Sequence, residues 1–341
     1  MKKVFLIAPT HMNLYKDIVD ELKRQEYDVE FLALKVFPHD PFFVFETKNK
    51  YRDKDKFLAI LEKYWVDLFN SGTYSFNYDY VIVINGSAVH PVLFSLLKQK
   101  NPRVKCINYL FDSTQNTYRF DRNFACYDKI YTFDTRDAAD FKLNFLPIYW
   151  TPIKKERDID VDVFGFGAFS RGRYDVFSKV KKSVEKLHLS SFIKLYIPKE
   201  KFIFKAWLRD IIDLFKKSKS TYSYSDYKSD MVTHSTMSPD LFRQYIVNSN
   251  IIIDTSNPGQ VGLTARFMWA LGAGKKIVTN NKSVIGYSFY NKNQFFVLGN
   301  DQDESLESFL SGKSFIMEDS NRAIIDQWRI DNWVRTLLKD I

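Results

Sequence analysis

Arg171 and Arg173 fall in "GFGAFSRGRYDVF", which reads as a buried strand, a glycine-bearing turn and a helix start. Arg266 falls in "IIIDTSNPGQVGLTARF", where an apolar strand ends at Asp254, a Pro-Gly turn follows, and Thr264 precedes a helical run. In an open parallel sheet, ligands bind beyond the carboxyl ends of the strands, where loops lead into helix N-termini. The unsatisfied amides and the positive dipole end of such a helix attract anions. Gly259 and Gly262 let the backbone come close to a ligand, Thr264 can cap the helix, and arginine suits bidentate contact with phosphate. The plainer alternative is an N-cap and a surface charge on an ordinary crossover. Two basic, glycine-bearing turns at one edge of one sheet favour a diphosphate over coincidence.

The same stretch supplies further candidates. Asp254 either organises the "SNPGQ" loop or touches the ligand, and Gln260 and Gly262 lie in the turn itself. Tyr287, in "GYSFYNKN", either lines the ligand or packs on the domain. Neither turn ends in the Gly-Lys-Ser/Thr of a nucleotide-hydrolase phosphate loop. "GFGAFSRG" is one spacing away from the dinucleotide fingerprint, and no acidic residue follows the next strand, "FIKLYIP". A nicotinamide enzyme is therefore disfavoured.

Short apolar runs alternate with longer helical stretches, which predicts parallel sheets covered by helices. The first half supplies the strands "KVFLIAP", "DVEFLAL", "YVIVIN", "VKCINYLFD" and "KIYTFD". "LPIYWTPIKKERDIDVD", with two prolines and a charge cluster, reads as a linker. The pattern then restarts and ends in a terminal helix, "RAIIDQWRIDNWVRTLLKD". The expected α/β fold is two doubly wound, Rossmann-like domains facing across a cleft, over residues 1–150 and 151–320. The segment 321–341 is expected to return as a helix to the first domain.

At 341 residues the chain is long enough for two domains of roughly 150 residues each. Its 50 basic and 41 acidic residues leave a net charge of +9, which favours anionic partners without naming one. The basic residues are dispersed among acidic ones, and no nucleic-acid-binding motif occurs, so nucleic acid is not an expected partner. Cys106 and Cys126 have neither metal-ligand spacing nor a disulfide pattern and read as reduced core residues of a cytosolic protein. The N-terminal apolar run stops at Pro9, too soon for a signal peptide, and no run of about 18 apolar residues could span a membrane.

"GLTARFMWALGAGKKIVTNN", with "YLFDSTQNTYRFDRNFACYDKIYTFDTRDAADFKLNFLPIYW" and "VFGFGAFSRGRYDVF", resembles bacterial glycosyltransferases of the two-domain GT-B fold. The likeness is to CgeB-like and other proteins of surface polysaccharide (O-antigen, capsule, lipopolysaccharide) biosynthesis. It implies that the second half binds a nucleotide-sugar donor, with Arg171, Arg173, Thr264 and Arg266 around its diphosphate. Many of these relatives carry a Glu about three residues after the Arg, to bind donor hydroxyls; here Phe267, Met268 and Trp269 stand there. The donor is then oriented by other groups, or lacks the usual hydroxyl pattern, or the copy is inactive.

Glycosyl transfer needs a base near the acceptor hydroxyl. Asp112, which follows the strand "KCINYLF", and His11, in the loop after the first strand, are the candidates, against a helix cap and a hydrogen-bonded loop residue. Asp134 and Asp137 flank a predicted helix start and read as structural. No persuasive Asp-x-Asp motif occurs, so no metal and no other cofactor is expected. Partners are then an activated sugar donor and a glycan or lipid-linked glycan acceptor. "KEKFIFKAWLRDIIDLFKKSK" predicts a basic amphipathic helix, either a crossover packed on the sheet or a peripheral contact with anionic membrane at its inner face. Two rivals stay open: a non-nucleotide donor such as phosphoribosyl pyrophosphate, and a catalytically silent sugar- or nucleotide-binding subunit.

Overall fold

A computed structural model describes residues 1–34, 54–114, 120–198, 228–257, 259–301, 305–339 and 341. The chain forms two units, residues 1–148 with 330–341, and residues 149–329.

In the first unit six parallel strands are β1 (Lys3–Pro9), β2 (Asp28–Leu34), β3 (Tyr80–Ile84), β4 (Lys105–Leu110), β5 (Lys129–Thr132) and β6 (Asn144–Phe145). They lie in the order β2-β1-β3-β4-β5-β6. β3 is buried at every residue, as expected of a parallel strand covered on both faces. Helices α1 (Leu14–Arg24), α2 (Lys54–Asn70), α3 (Val92–Lys100) and α4 (Thr135–Asp140) come between them. The short edge strand β6 has no counterpart in the periodicity, which is too brief to register two residues.

The second unit carries β7 (Val163–Ala168), β8 (Ser191–Tyr196), β9 (Val232–Thr233), β10 (Ile251–Asp254), β11 (Lys276–Thr279) and β12 (Phe295–Val297). Its order is β12-β11-β10-β7-β8-β9, again parallel. Here the helices are α5 (Arg171–Lys186), α6 (Pro239–Asn248), α7 (Ala265–Gly272), α8 (Leu306–Ser311) and α9 (Asp319–Asp326). β9 and the start of α6 fall in the polar stretch 218–240, which shows no period. The basic amphipathic segment 199–219 lies outside the described residues.

Two expectations need correcting. The supposed linker begins as core: it has no regular structure from Leu146 apart from an isolated bridge at Trp150, yet Leu146, Ile148, Tyr149 and Trp150 are all buried. The single terminal helix is two helices, α9 and α10 (Ile330–Leu338), broken over residues 327–329. α9 belongs to the second unit, where Trp150 donates its indole N–H to Ile325 O at 2.8 Å and Arg322 donates to Gly272 O at 2.8 Å. The break lets Arg329 bridge to Trp150. Only α10 belongs to the first unit, where Trp333 donates to Pro147 O at 3.0 Å and Tyr131 to Thr336 O at 2.9 Å.

Lys276 is buried inside β11, and its ammonium caps the end of α8 by donating to Gly312 O at 3.2 Å and to Phe309 O. It also lies 4.4 Å from the Phe309 ring centroid. Burial pushes its pKa down, and the hydrogen-bond partners of the ammonium among the described residues are these carbonyls. Lys276→Met keeps the stem but leaves those carbonyls without their donor, and is expected to lower stability by about 1–3 kcal/mol in a urea titration.

Candidate functional site

The strand order of the second unit reverses at β7, whose neighbours are β8 and β10. The loops after β7 and β10 therefore emerge side by side at the sheet's carboxyl edge, the switch point at which open α/β sheets take ligands. Each leads into a capped helix. Ser170 Oγ accepts from Arg173 N at 3.3 Å to start α5, and Thr264 Oγ1 accepts from Phe267 N at 3.1 Å to start α7.

Arg173 and Arg266, 93 residues apart in sequence, meet over Gly167. A Cβ there would stand 3.2 Å from Arg173 Nη1 and 3.2 Å from Arg266 Nη2. The missing side chain is thus what admits both guanidiniums to one place above β7. Arg173 Nε donates to Thr255 Oγ1 at 2.8 Å, and its Nη1 to Ala168 O. Arg266 Nη1 donates to Ile253 O at 3.3 Å and lies 3.9 Å from Asp254 Oδ1. Asp254 is fully buried, and its Oδ1 accepts from Thr264 Oγ1 at 2.7 Å.

Two cations meet where one carboxylate lies near, and only Arg266 approaches it, at 3.9 Å. Burial, and then the neighbouring Arg266, push the Arg173 pKa down to about 10 against the pull of Asp254, and burial lowers that of Arg266. Both shifts mean that the charged forms are under strain where they sit. An anion arriving between them would relieve it.

The loop from Ser256 to Gly262 is braced from β11. Asn280 Oδ1 accepts from Ser256 N at 2.9 Å. The buried Asn281 donates from Nδ2 to Ser256 Oγ at 2.9 Å and to the carbonyls of Val261 and Gly262 at 3.2 Å each. Gly259 takes φ +84°, which glycine adopts without strain, and Gln260 N closes the turn on Asn257 O at 3.1 Å. The asparagine brace is absent from the sequence-derived site, although two adjacent asparagines at a strand end are a visible signal.

Other candidates are placed differently. Arg171 is exposed, with its guanidinium over the rings of Phe169 (5.8 Å) and Tyr174 (5.7 Å) at the first turn of α5. Tyr287 packs its ring on Phe289 and Trp328, at centroid distances of 5.1 and 6.3 Å. Phe267, Met268 and Trp269 are buried in the core, and Trp269 lies under Arg243 at 4.6 Å. That helix face offers a ligand no side chain from these three positions.

In the first unit β1, β3 and β4 are neighbours, so the loops bearing His11, Asn85 and Asp112 leave the same sheet edge. Asp112 is exposed and accepts from Asn85 Nδ2 at 2.8 Å. Asn85 in turn accepts from Phe111 N at 2.7 Å and holds φ +64°. His11 opens the 3-10 turn His11–Asn13, and its side chain lies outside the described residues. Asp134 caps α4, accepting from Arg136 N at 3.0 Å, and Asp137 accepts from Thr114 Oγ1 at 2.6 Å, both structural tasks.

Among the described residues no group of three or more His, Cys, Asp or Glu could hold a metal ion, and no helix is long and apolar enough to cross a membrane. Cys106 and Cys126 are free thiols, and burial pushes Cys106 up to about 12.

Compared by sequence, the chain matches no protein-family profile and no curated protein. Compared by structure, it is similar to an alpha,alpha-trehalose-phosphate synthase (UDP-forming) from Burkholderia vietnamiensis, with a TM-score of 0.58 and 9% identity over 100% of this chain and 98% of that one. It is also similar to the N-terminal domain of Candida albicans trehalose-6-phosphate phosphatase (TM-score 0.58, 9% identity, 100% and 96%). A third similar structure is a glycosyltransferase involved in avilamycin A biosynthesis (TM-score 0.55, 12% identity, 99% and 96%). Identities this low establish a shared fold, two Rossmann-like units of the GT-B kind, and leave activity to be argued from the site.

Proposed function

We propose that this protein is a glycosyltransferase whose second unit holds the diphosphate of an activated sugar donor between Arg173 and Arg266. The observation that carries this reading is the pair of guanidiniums that meet over Gly167 at the strand-order reversal, close to the buried Asp254. The amides at the starts of α5 and α7 add donors, Gly262 and Gln260 bring loop backbone close, and Arg171 extends the positive edge outward. Asp254 lies beside the arginine at 3.9 Å without closing on it, and Tyr287 packs on Phe289 and Trp328 in the same unit. The similar structures include a UDP-forming synthase and a glycosyltransferase, which agrees with a nucleotide-sugar donor.

In the reaction, the acceptor hydroxyl oxygen bonds to the anomeric carbon as the bond from that carbon to phosphate breaks. The phosphate leaves with the electron pair, and the arginines stabilise its charge as a metal would elsewhere. The hydroxyl proton passes to Asp112, oriented by Asn85, or to His11. We take the acceptor to be a lipid-linked or growing surface polysaccharide, as in the O-antigen and capsule enzymes that the sequence resembles. The enzyme then works in the cytoplasm, at the periphery of the inner membrane face.

One observation favours a second reading. With positions 267–269 in the core, α7 supplies no carboxylate there for donor hydroxyls, which suits a donor such as phosphoribosyl pyrophosphate or a silent binding subunit. A thermal-shift screen against nucleoside diphosphates, nucleotide sugars and phosphoribosyl pyrophosphate tests all three, since a ligand that binds only the folded state raises its stability. At a hundred times Kd the expected gain is about 2.7 kcal/mol. A shift with one nucleoside diphosphate and release of that nucleotide from its sugar supports the main reading. A shift with phosphoribosyl pyrophosphate alone moves the donor, binding without sugar release points to the silent subunit, and no shift at all refutes the phosphate site.

A further inference from the structure

A buried carboxylate beside a largely buried guanidinium normally closes into a bidentate pair at about 2.7–2.9 Å. Asp254 and Arg266 do not. Their nearest contact is 3.9 Å, Asp254 Oδ2 and Arg266 Nε are both buried, and neither has a hydrogen-bond partner among the described residues. What occupies Oδ1 instead is the hydroxyl of Thr264, at 2.7 Å. That hydroxyl is itself aimed: it accepts the Phe267 N–H at 3.1 Å, so its single proton is directed to the carboxylate. Arg266 Nη1, the nitrogen nearest Asp254, is held instead at Ile253 O, and Nη2 lies over Gly167, next to Arg173.

From this geometry we infer that Thr264 is a positioning residue: its hydroxyl occupies Asp254 and so keeps Arg266 from closing on that carboxylate, leaving the guanidinium available to an incoming phosphate. Without the hydroxyl, Oδ1 loses its donor, and the cheapest replacement is the guanidinium a short swing away. Closure would neutralise Arg266 and leave Arg173 as the one uncommitted cation of the pair. The role goes beyond capping α7, because a cap alone has no dependence on the charge of Asp254. The inference rests on the reading that the arginine pair takes a phosphate anion.

The test is calorimetric titration of the full chain with inorganic pyrophosphate and with uridine diphosphate, scaled to the folded fraction. Thr264→Val is expected to bind about twentyfold more weakly, whereas Thr264→Ser, which keeps the hydroxyl, stays within about twofold of wild type. The decisive variant is Thr264→Val with Asp254→Asn. A neutral amide cannot capture the guanidinium by charge, so the double variant should recover to within about threefold of wild type. If it binds as poorly as Thr264→Val alone, Thr264 acts only as a cap and the inference fails. It fails equally if Thr264→Val binds like wild type. Should Thr264→Val not fold, Asp254→Asn alone decides: it is expected to bind at least as tightly as wild type, and loss of binding overturns the inference. A wild-type protein that binds neither probe overturns the phosphate-site reading and this inference together, an outcome distinct from one in which only the variants misbehave.

Discussion

Arg266→Ala is expected to weaken binding of the donor diphosphate by roughly 150-fold, about 3 kcal/mol, while moving the melting temperature little. The affinity loss is large because the guanidinium is mostly buried and fixed at Ile253 O, so it is pre-organised and has shed most of its water before the ligand arrives. The small change in stability follows from the opposing effects of removing one of two crowded cations. Asp254 loses a distant partner at 3.9 Å, but Arg173 loses the repulsion that helps depress its pKa. Arg266→Lys should fall between, since an ammonium keeps the charge without the bidentate fork. The check is a binding isotherm for wild type and variants, with circular-dichroism melts alongside. A variant that binds normally per folded molecule but melts far lower would make Arg266 a structural residue.

Gly272→Ala is expected to destabilise the second unit by about 3 kcal/mol, at the upper end of what overpacking a well-filled core costs. A Cβ at Gly272 would lie 2.4 Å from both Cδ2 and Cε3 of Trp150 and 2.8 Å from its Cγ. Trp150 has little freedom to retreat. Its indole N–H is bonded to Ile325 O at 2.8 Å, its backbone N–H to Trp328 O at 3.1 Å, and Arg322 lies over its ring while bonded to Gly272 O. For a unit of this size, about 3 kcal/mol corresponds to a fall of roughly 6–12 °C in melting temperature. Gly172→Ala is the control, because a Cβ there meets nothing within 4 Å. It should leave the melt unchanged or raise it slightly, as expected for Ala over Gly in a helix. Equal melts for the two variants would mean that Trp150 can move, and that the α7–α9 contact is not rigid.

Both predictions turn on contacts between residues far apart in sequence, and that separation marks the limit of what the chain reveals by itself. The alternation of apolar runs and helical periods determined two parallel α/β units, because strand burial and helix amphipathicity are imprinted on near neighbours. The strand ends at Ala168 and Asp254, the Thr264 and Asp134 caps and the basic character of the two turns were legible for the same reason: a cap acts within one helical turn. The tertiary structure alone decided that β7 and β10 are adjacent, and therefore that Arg173 meets Arg266 while Arg171, two residues away, lies over aromatic rings instead. It also decided that Asn85 holds Asp112, that Asn281 braces the loop, and that positions 267–269 face inward. The terminal run shows the limit most plainly. Its helical period continues across residues 327–329, yet the run breaks there at the isolated Trp150–Arg329 bridge, because tertiary contacts outweigh a few tenths of a kcal/mol of local propensity per residue.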